Sequence, residues 1–387
     1  MSTYLMKNSI VLSVILLLCS CATEPQDPLA YSLLSNEKAI YRVMRPDNPK
    51  DEAYKKYELQ LFYTKIDSTA GDLNFTDYTF HLNDDHYFYP ASTVKFPIAL
   101  FALEKLANLP TISKDTPYRI NGDSLTHTIK EDIKKIFAVS DNKAYNRLYE
   151  FLGRDHINQR FRELGLTNTR IHHRLSTANA ADSIHRELIF YAQSDTVRIK
   201  AKTAAKIIPL KTEKIKKGIG FMQNDSLINM PMDFSKKNYF PLEEQHNLMK
   251  RLFFPEAFSK DQQLKLTKEQ RQFLMDAMRT LPYELGYDRK EYYDSYVKFF
   301  LFGDQKDDIP DHIKIYNKVG YAYGTLSETA YILDTQRNIS FLLSATMLVN
   351  ENRIFNDNSY EYEEIGIPFL AQLGRELYFY EVQRKRE

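Results

Sequence analysis

The chain has 387 residues, 43% hydrophobic and 27% charged, a balance that lets a globular domain bury a sizeable core. Its 52 basic and 51 acidic residues leave a net charge of +1, which gives no electrostatic footprint for nucleic acid. With only 12 glycines and no Gly-rich phosphate-cradling motif, nucleotide-binding loops are excluded as well.

The first element is apolar. Lys7 precedes a hydrophobic run at 10–18 that only Ser13 interrupts. As a helix this run rises roughly 14 Å, about half the hydrocarbon thickness of a bilayer, so it is too short to span one. It has the length of a signal-peptide core. Leu18-Cys19-Ser20-Cys21 follows and resembles the bacterial lipobox, with an apolar residue three places before the cysteine and a small one just before it. Cys21 fits that pattern; Cys19 would put Leu18 where the small residue is needed. The expectation is a lipoprotein signal peptide at 1–20 and lipidation at Cys21. The protein would be exported to the cell envelope and held on the periplasmic side of a membrane by lipid. No disulfide is expected, since the one remaining cysteine carries the lipid. The polar stretch at 21–50, with Pro25, Pro28 and Pro46, reads as a linker, and 51–387 as the folded domain.

Segment 57–66 is rich in aromatic and β-branched residues and predicts a strand. One or two more short strands are expected at 77–89, around the turn signal Asn83-Asp84-Asp85. From Ser92 the period changes: Val94, Ile98, Phe101, Ala102 and Leu106 fall at the spacing of a core-facing helix. The helical pattern continues through 109–168, with Ile129, Ile133, Ile136 and Phe137 on one face and Tyr145, Leu148, Tyr149 and Phe151 on another, and Gly153 as a stop. Segment 179–239 shows no clear period, and its lysines between 200 and 217 read as solvated surface. Helices at 242–254 and 267–280 come next, then strands at 313–318, 325–334 and 339–348 and a closing helix at 365–380. Strands at both ends and helices between predict an α+β fold in which the two chain ends share one sheet.

Acyl transfer through a serine needs a hydroxyl, a base within reach and donors for the oxyanion. Ser92-Thr93-Val94-Lys95 supplies the first two at i and i+3, which a helix places on one face with Cβ atoms roughly 5–6 Å apart. A serine in the first turn also sits at the positive end of the helix dipole. For the lysine to act as a base its pKa must fall, and burial or a neighbouring cation does that.

Ser92-Thr93-Val94-Lys95-Phe96-Pro97 resembles the nucleophile motif of the class A β-lactamases and their penicillin-binding relatives. Ser140-Asp141-Asn142 is similar to their Ser-Asp-Asn element, and Lys318-Val319-Gly320 to their Lys-Thr-Gly, in the same order along the chain. The resemblance runs from about residue 57 to the end. It implies a three-layer architecture: an antiparallel sheet flanked by N- and C-terminal helices, built from 51–108 and 281–387. An all-helical subdomain at 109–280 is inserted, with an extra segment near 179–239. It also implies roles. Ser92 is the nucleophile, Lys95 its base directly or through a water, and Ser140 the relay of a proton to the leaving nitrogen. Asn142 binds the substrate amide and orients Lys95. Lys318 supplies charge to Ser140 and to a substrate carboxylate. The backbone at Gly320 and Tyr321 lies along the substrate, with the Ser92 and Tyr321 N–H groups as the oxyanion hole. Asp141 is expected to be structural.

Three departures matter. The family's loop carboxylate that activates the deacylating water has no counterpart: 169–176 offers Leu175 or Ser176, and no acid occurs between Glu163 and Asp182. His172, His173 and Glu187 are the groups that could stand in. Val319 replaces the hydroxyl residue of Lys-Thr-Gly, and the strand after it has no arginine for a carboxylate. The expected activity is therefore a serine hydrolase acting on β-lactams or related cell-envelope amides, with slow deacylation, and a DD-peptidase or esterase stays open beside a β-lactamase. The alternative is a catalytically idle envelope-binding scaffold with the same fold. A monomer is expected, and no cofactor and no metal, since the nine histidines show no ligand spacing.

Overall fold

The computed structural model describes residues 27–29, 56–69, 71–193 and 195–384; the expected signal peptide, Cys21 and most of the linker lie outside the described residues. Five long strands carry the architecture: β1 (Gln60–Thr69), β2 (Asp72–Phe80), β3 (Ile313–Ala322), β4 (Thr325–Asp334) and β5 (Ile339–Leu348). They form one antiparallel sheet in the order β3-β4-β5-β1-β2, so both ends of the domain do share it. Among the described residues there are seven helices of ten or more residues: α1 (Lys95–Leu106), α2 (Ile129–Val139), α3 (Asn142–Leu152), α4 (Arg154–Glu163), α5 (Leu242–Phe253), α6 (Lys268–Arg279) and α7 (Ile367–Gln383).

Successive side chains on a strand face opposite ways, and β1 uses both faces. Leu61 and Tyr63 pack with Leu370, Leu373 and Leu377 of α7. Phe62 and Thr64 face α5, where His246 stacks on the Phe62 ring at 3.9 Å and hydrogen-bonds Thr64 Oγ1 and, from β5, Ser344 Oγ, both at 2.8 Å. Burial pushes that ring down to about 3, so it stays neutral and pins α5 to the sheet.

The inserted block is organised around α1. Its sequence is apolar on all sides and every residue except Lys105 is buried, as a central helix requires. Its one buried acid, Glu104, is matched by a two-pronged ion pair to Arg160 of α4, at 2.7 and 2.9 Å. Capping boxes at Thr128 and Thr267 start α2 and α6.

The structure adds strands to this block where only helices were expected. Tyr118–Ile120, Leu188–Tyr191 and Thr196–Ile199 form a small sheet at its edge. The unperiodic 179–239 segment is mostly such ribbons, including Lys216–Lys217 against Met232–Asp233 and a hairpin at Gly220–Gln223 and Ser226–Ile228. Strands of two to four residues are too short to show a period. The second long strand also runs at 72–80 rather than 77–89. It is an edge strand with little buried surface, joined to β1 through Gly71, whose φ of +93° suits the tight turn.

Candidate active site

Ser92 sits in a single 3₁₀ turn, Ala91–Val94, that leads directly into α1. The turn is pinned from below: Thr93 donates from both its N–H and its hydroxyl to Pro90 O, at 3.1 and 2.8 Å. Ala91 just before the nucleophile has φ of +47°, a strained value for a residue with a Cβ. The sheet edge closes on this turn at Gly320 of β3, where a Cβ would lie 2.6 Å from Pro90 O and 2.8 Å from the Ser92 and Thr93 nitrogens. Only glycine lets the strand approach so near.

Lys95, the first residue of α1, is wholly buried. Its ammonium donates to Asn142 Oδ1 at 2.7 Å, to Ser140 Oγ at 3.1 Å and to the Ser140 carbonyl. Burial brings it down to about 7, against the opposing pull of Asp141. Among the described residues it makes no hydrogen bond to Ser92 Oγ, so the base is held one step away from the nucleophile.

Ser140 ends α2 in the left-handed conformation, φ 56°, and the next residue, Asp141, caps α3 by accepting the Ala144 N–H at 2.7 Å. That two-residue corner turns Ser140 and Asn142 toward α1. From the sheet side, Lys318 Nζ reaches Ser140 Oγ at 2.9 Å and Val319 O at 2.8 Å. Burial and the nearby Lys95 both hold Lys318 well below the usual lysine value. Two ammonium groups therefore donate to one hydroxyl oxygen, which leaves the Ser140 proton free to point into the cleft. Behind Lys318, buried Glu328 accepts the Phe300 N–H at 2.7 Å and the Asn317 amide, and Lys298 donates to Asn317 Oδ1 at 2.9 Å. This network fixes the strand that carries Lys318.

The cleft has a volume of about 690 Å³, with Ser92, Asn142 and Tyr321 among its lining residues. Its walls are aromatic: Tyr89, Tyr321, Tyr323, Tyr360 and Tyr362 line it, with Tyr321 edge-on to Tyr362 at 5.3 Å. The short motifs gave no hint of this wall.

Opposite the nucleophile runs the loop at 169–176. Leu175 is buried, and both of its backbone groups are held by the Asn146 side chain at 2.8 Å. Ser176 is the residue that faces the site, accepting Asn142 Nδ2 at 3.0 Å. The loop is anchored by Arg174, fully buried, which pairs with Glu150 at 2.9 Å and donates to three carbonyls of the following turn. That anchor was not visible in the sequence.

The groups proposed to replace the missing carboxylate are either engaged by neighbours or away from the cleft. His173 lines the cleft, but its Nδ1–H donates to Arg174 O and its Nε2 accepts the Asn238 N–H at 3.3 Å. Burial holds both His172 and His173 at about 4, and His172 is not part of the cleft wall. Glu187 is paired with Arg198 at 3.1 Å and is also not part of the cleft wall. Asp233 is the one carboxylate among the described residues lining the cleft, and its first partner is the Ser235 N–H at 2.8 Å. Among the described residues no cluster of three or more potential metal ligands occurs.

Comparison with known proteins agrees with this geometry. The sequence matches the profile of the beta-lactamase enzyme family over residues 52–380. No curated protein matches the chain in sequence. Among solved structures, PBP-A superposes with a TM-score of 0.52 at 15% identity, covering 93% of this chain and 98% of PBP-A. A beta lactamase from Xanthomonas campestris pv. campestris str. ATCC 33913 gives 0.50 at 14% identity, covering 92% and 98%. A mutant of PBP-A in an acyl-enzyme complex with penicillin G gives 0.51 at 14%, covering 92% and 97%. At these identities the likeness is one of fold.

Proposed function

This protein belongs to the beta-lactamase enzyme family, and from that premise we propose that it forms an acyl-enzyme on Ser92 with β-lactams or related cell-envelope amides and releases it slowly. The observation that carries the reading is the convergence of Lys95 and Lys318 on Ser140 Oγ, beside Ser92 at the cleft. Neutral Lys95 takes the Ser92 proton through one bridging water, and Ser92 Oγ attacks the amide carbonyl. The Ser92 and Tyr321 N–H groups hold the oxyanion. As the C–N bond breaks, Ser140 gives its proton to the leaving nitrogen and recovers one from Lys95, so the proton lost by Ser92 ends on the amine. Asn142 orients Lys95 and the substrate amide, and Lys318 attracts a substrate carboxylate.

Deacylation lacks a base, because Ser176 stands where a carboxylate would act, His173 has both ring nitrogens engaged and His172 lies outside the cleft wall. We place the domain, as a monomer, on the cell-envelope side of a membrane through lipid at Cys21. The test is intact-mass spectrometry of the full chain carrying Cys21→Ser, incubated for hours with a fluorescent penicillin, with Ser92→Ala as control. A persistent adduct on Ser92 is expected. An adduct that forms and clears while the drug is consumed would overturn slow deacylation. No adduct at all would overturn β-lactams as substrates and leave esterase-like substrates or the idle scaffold, and only for the scaffold would Ser92→Ala cells behave as wild type.

A further inference from the structure

A second cavity, of about 450 Å³, opens between residues 56–58, the segment at 214–218 and the turn at 350–353. Five cations line it: Lys56, Lys214, Lys216, Lys217 and Arg353. Its two acids are already engaged. Glu351 accepts from Lys56 at 2.7 Å and from the Tyr57 hydroxyl at 2.9 Å, and Glu58 is bound by buried Lys217. Burial alone would raise Glu58, but His86 and Lys217 bring it down to about 2, so it stays a committed carboxylate.

Lys214, Lys216 and Arg353 have no carboxylate within ion-pairing distance among the described residues. Lys214 lies in a turn, with φ of +51°, that leads into the short strand Lys216–Lys217; both Lys214 and Lys216 are exposed and both line this cavity, whereas Lys217 is buried. The backbone here is fixed rather than loose. Ile219 N–H donates to Arg353 O at 3.0 Å, and a Cβ on Gly218 would lie 2.4 Å from the same oxygen. Leu348 and Phe355 give the cavity an apolar side.

We propose that this cavity binds the phosphate group of an organic phosphate, with Arg353 as the planar fork and Lys214 and Lys216 as point charges. Arginine matches phosphate oxygens in a bidentate manner and lysine supplies charge, whereas a single carboxylate would leave this surplus unmatched. The apolar side takes the organic part. The phosphate can come from a soluble compound or from a lipid headgroup. The assignment stands independently of the hydrolase reading.

The experiment is calorimetry of the full chain carrying Cys21→Ser, titrated with inorganic phosphate and glycerol phosphate. In parallel, sedimentation is measured with phosphatidylglycerol–phosphatidylcholine vesicles and with phosphatidylcholine vesicles alone. Saturable phosphate binding is expected, weakened on the order of tenfold or more in Arg353→Ser and in the pair Lys214→Ser, Lys216→Ser. The pair Lys206→Ser, Lys211→Ser removes the same charge from the same segment outside the cavity, and it should bind as the parent does. Sedimentation with the anionic vesicles that free phosphate competes away would assign the headgroup source. Phosphate binding without such sedimentation would assign a soluble compound. No phosphate binding, or losses equal in both pairs, would overturn the site. Penicillin labelling of Ser92 in the same samples separates this result from any failure of the hydrolase.

Discussion

At and behind the cleft wall, Ser92, Lys95, Ser140, Asn142 and Lys318 come from three separate parts of the chain and are joined by hydrogen bonds or close packing. The loop at 169–176, across from them, brings only Ser176 to the same Asn142. The first region concentrates two buried ammonium groups on one hydroxyl, an arrangement that costs stability because neither cation has a buried carboxylate in direct contact. The second spends its buried charge elsewhere, on the Arg174–Glu150 pair that holds the loop's backbone. Electrostatic strain persists in one region and is relieved in the other. Strain kept against stability marks chemistry, and a loop that is well anchored but carries no base marks position without chemistry.

The largest effect should come from removing the base. Lys95→Met is expected to slow acylation by a fluorescent penicillin by about 10²–10⁴, the usual span for a general base, as read by quenched-flow mass spectrometry. In the parent, burial sets Lys95 near 7. The neutral amine is the active form, so the acylation rate should rise with pH up to about 7 and level off above it. A rate that is flat from pH 5 to 9 would mean another group takes the proton. Next comes the approach of strand to turn. Gly320→Ala places a methyl against Pro90 O and the Ser92 nitrogen, so β3 must retreat and the oxyanion donors separate. Loss of about 10² in acylation is expected, the scale of one misplaced oxyanion donor.

The comparison is tested most directly by giving the loop what it lacks. Ser176→Glu puts a carboxylate where the present hydroxyl meets Asn142, at a residue whose φ of 47° strains any side chain alike. The adduct on Ser92 should then clear at least about tenfold faster, within the range a positioned base provides, while its formation changes little. If clearance is unchanged, the loop is misplaced for deacylation and not merely short of a base.

Much of this was readable from sequence because chemistry fixes short spacings. Ser92 and Lys95 must share a helix start, and Ser140 and Asn142 a corner between helices, so their motifs survive in one chain without comparison. The strands at 325–334 and 339–348 also fall at the expected limits, since both are rich in β-branched, aromatic and other apolar residues that suit a buried strand. What escaped depends on distant partners. Arg174 looks like any loop arginine until Glu150, on α3, is placed beside it. The tyrosine wall joins residues 89, 321–323 and 360–362, and the cation cavity joins 56, 214–217 and 353. No local period encodes such meetings.

Val319 gives the smallest effect and corrects an expectation. From sequence it seemed to cost the site a hydroxyl for the substrate carboxylate. Along β3, however, Lys318 turns toward Ser140, so Val319 turns the other way. It is 1% exposed and packs with Leu326 and Ala330 in the layer shared with α7. Val319→Thr should therefore alter acylation by less than about threefold, under ~0.7 kcal/mol of barrier, since a group that does not reach the substrate cannot favour its transition state. A tenfold gain in the acylation rate would mean that the strand rotates when substrate binds, and the departure at this position would again bear on catalysis.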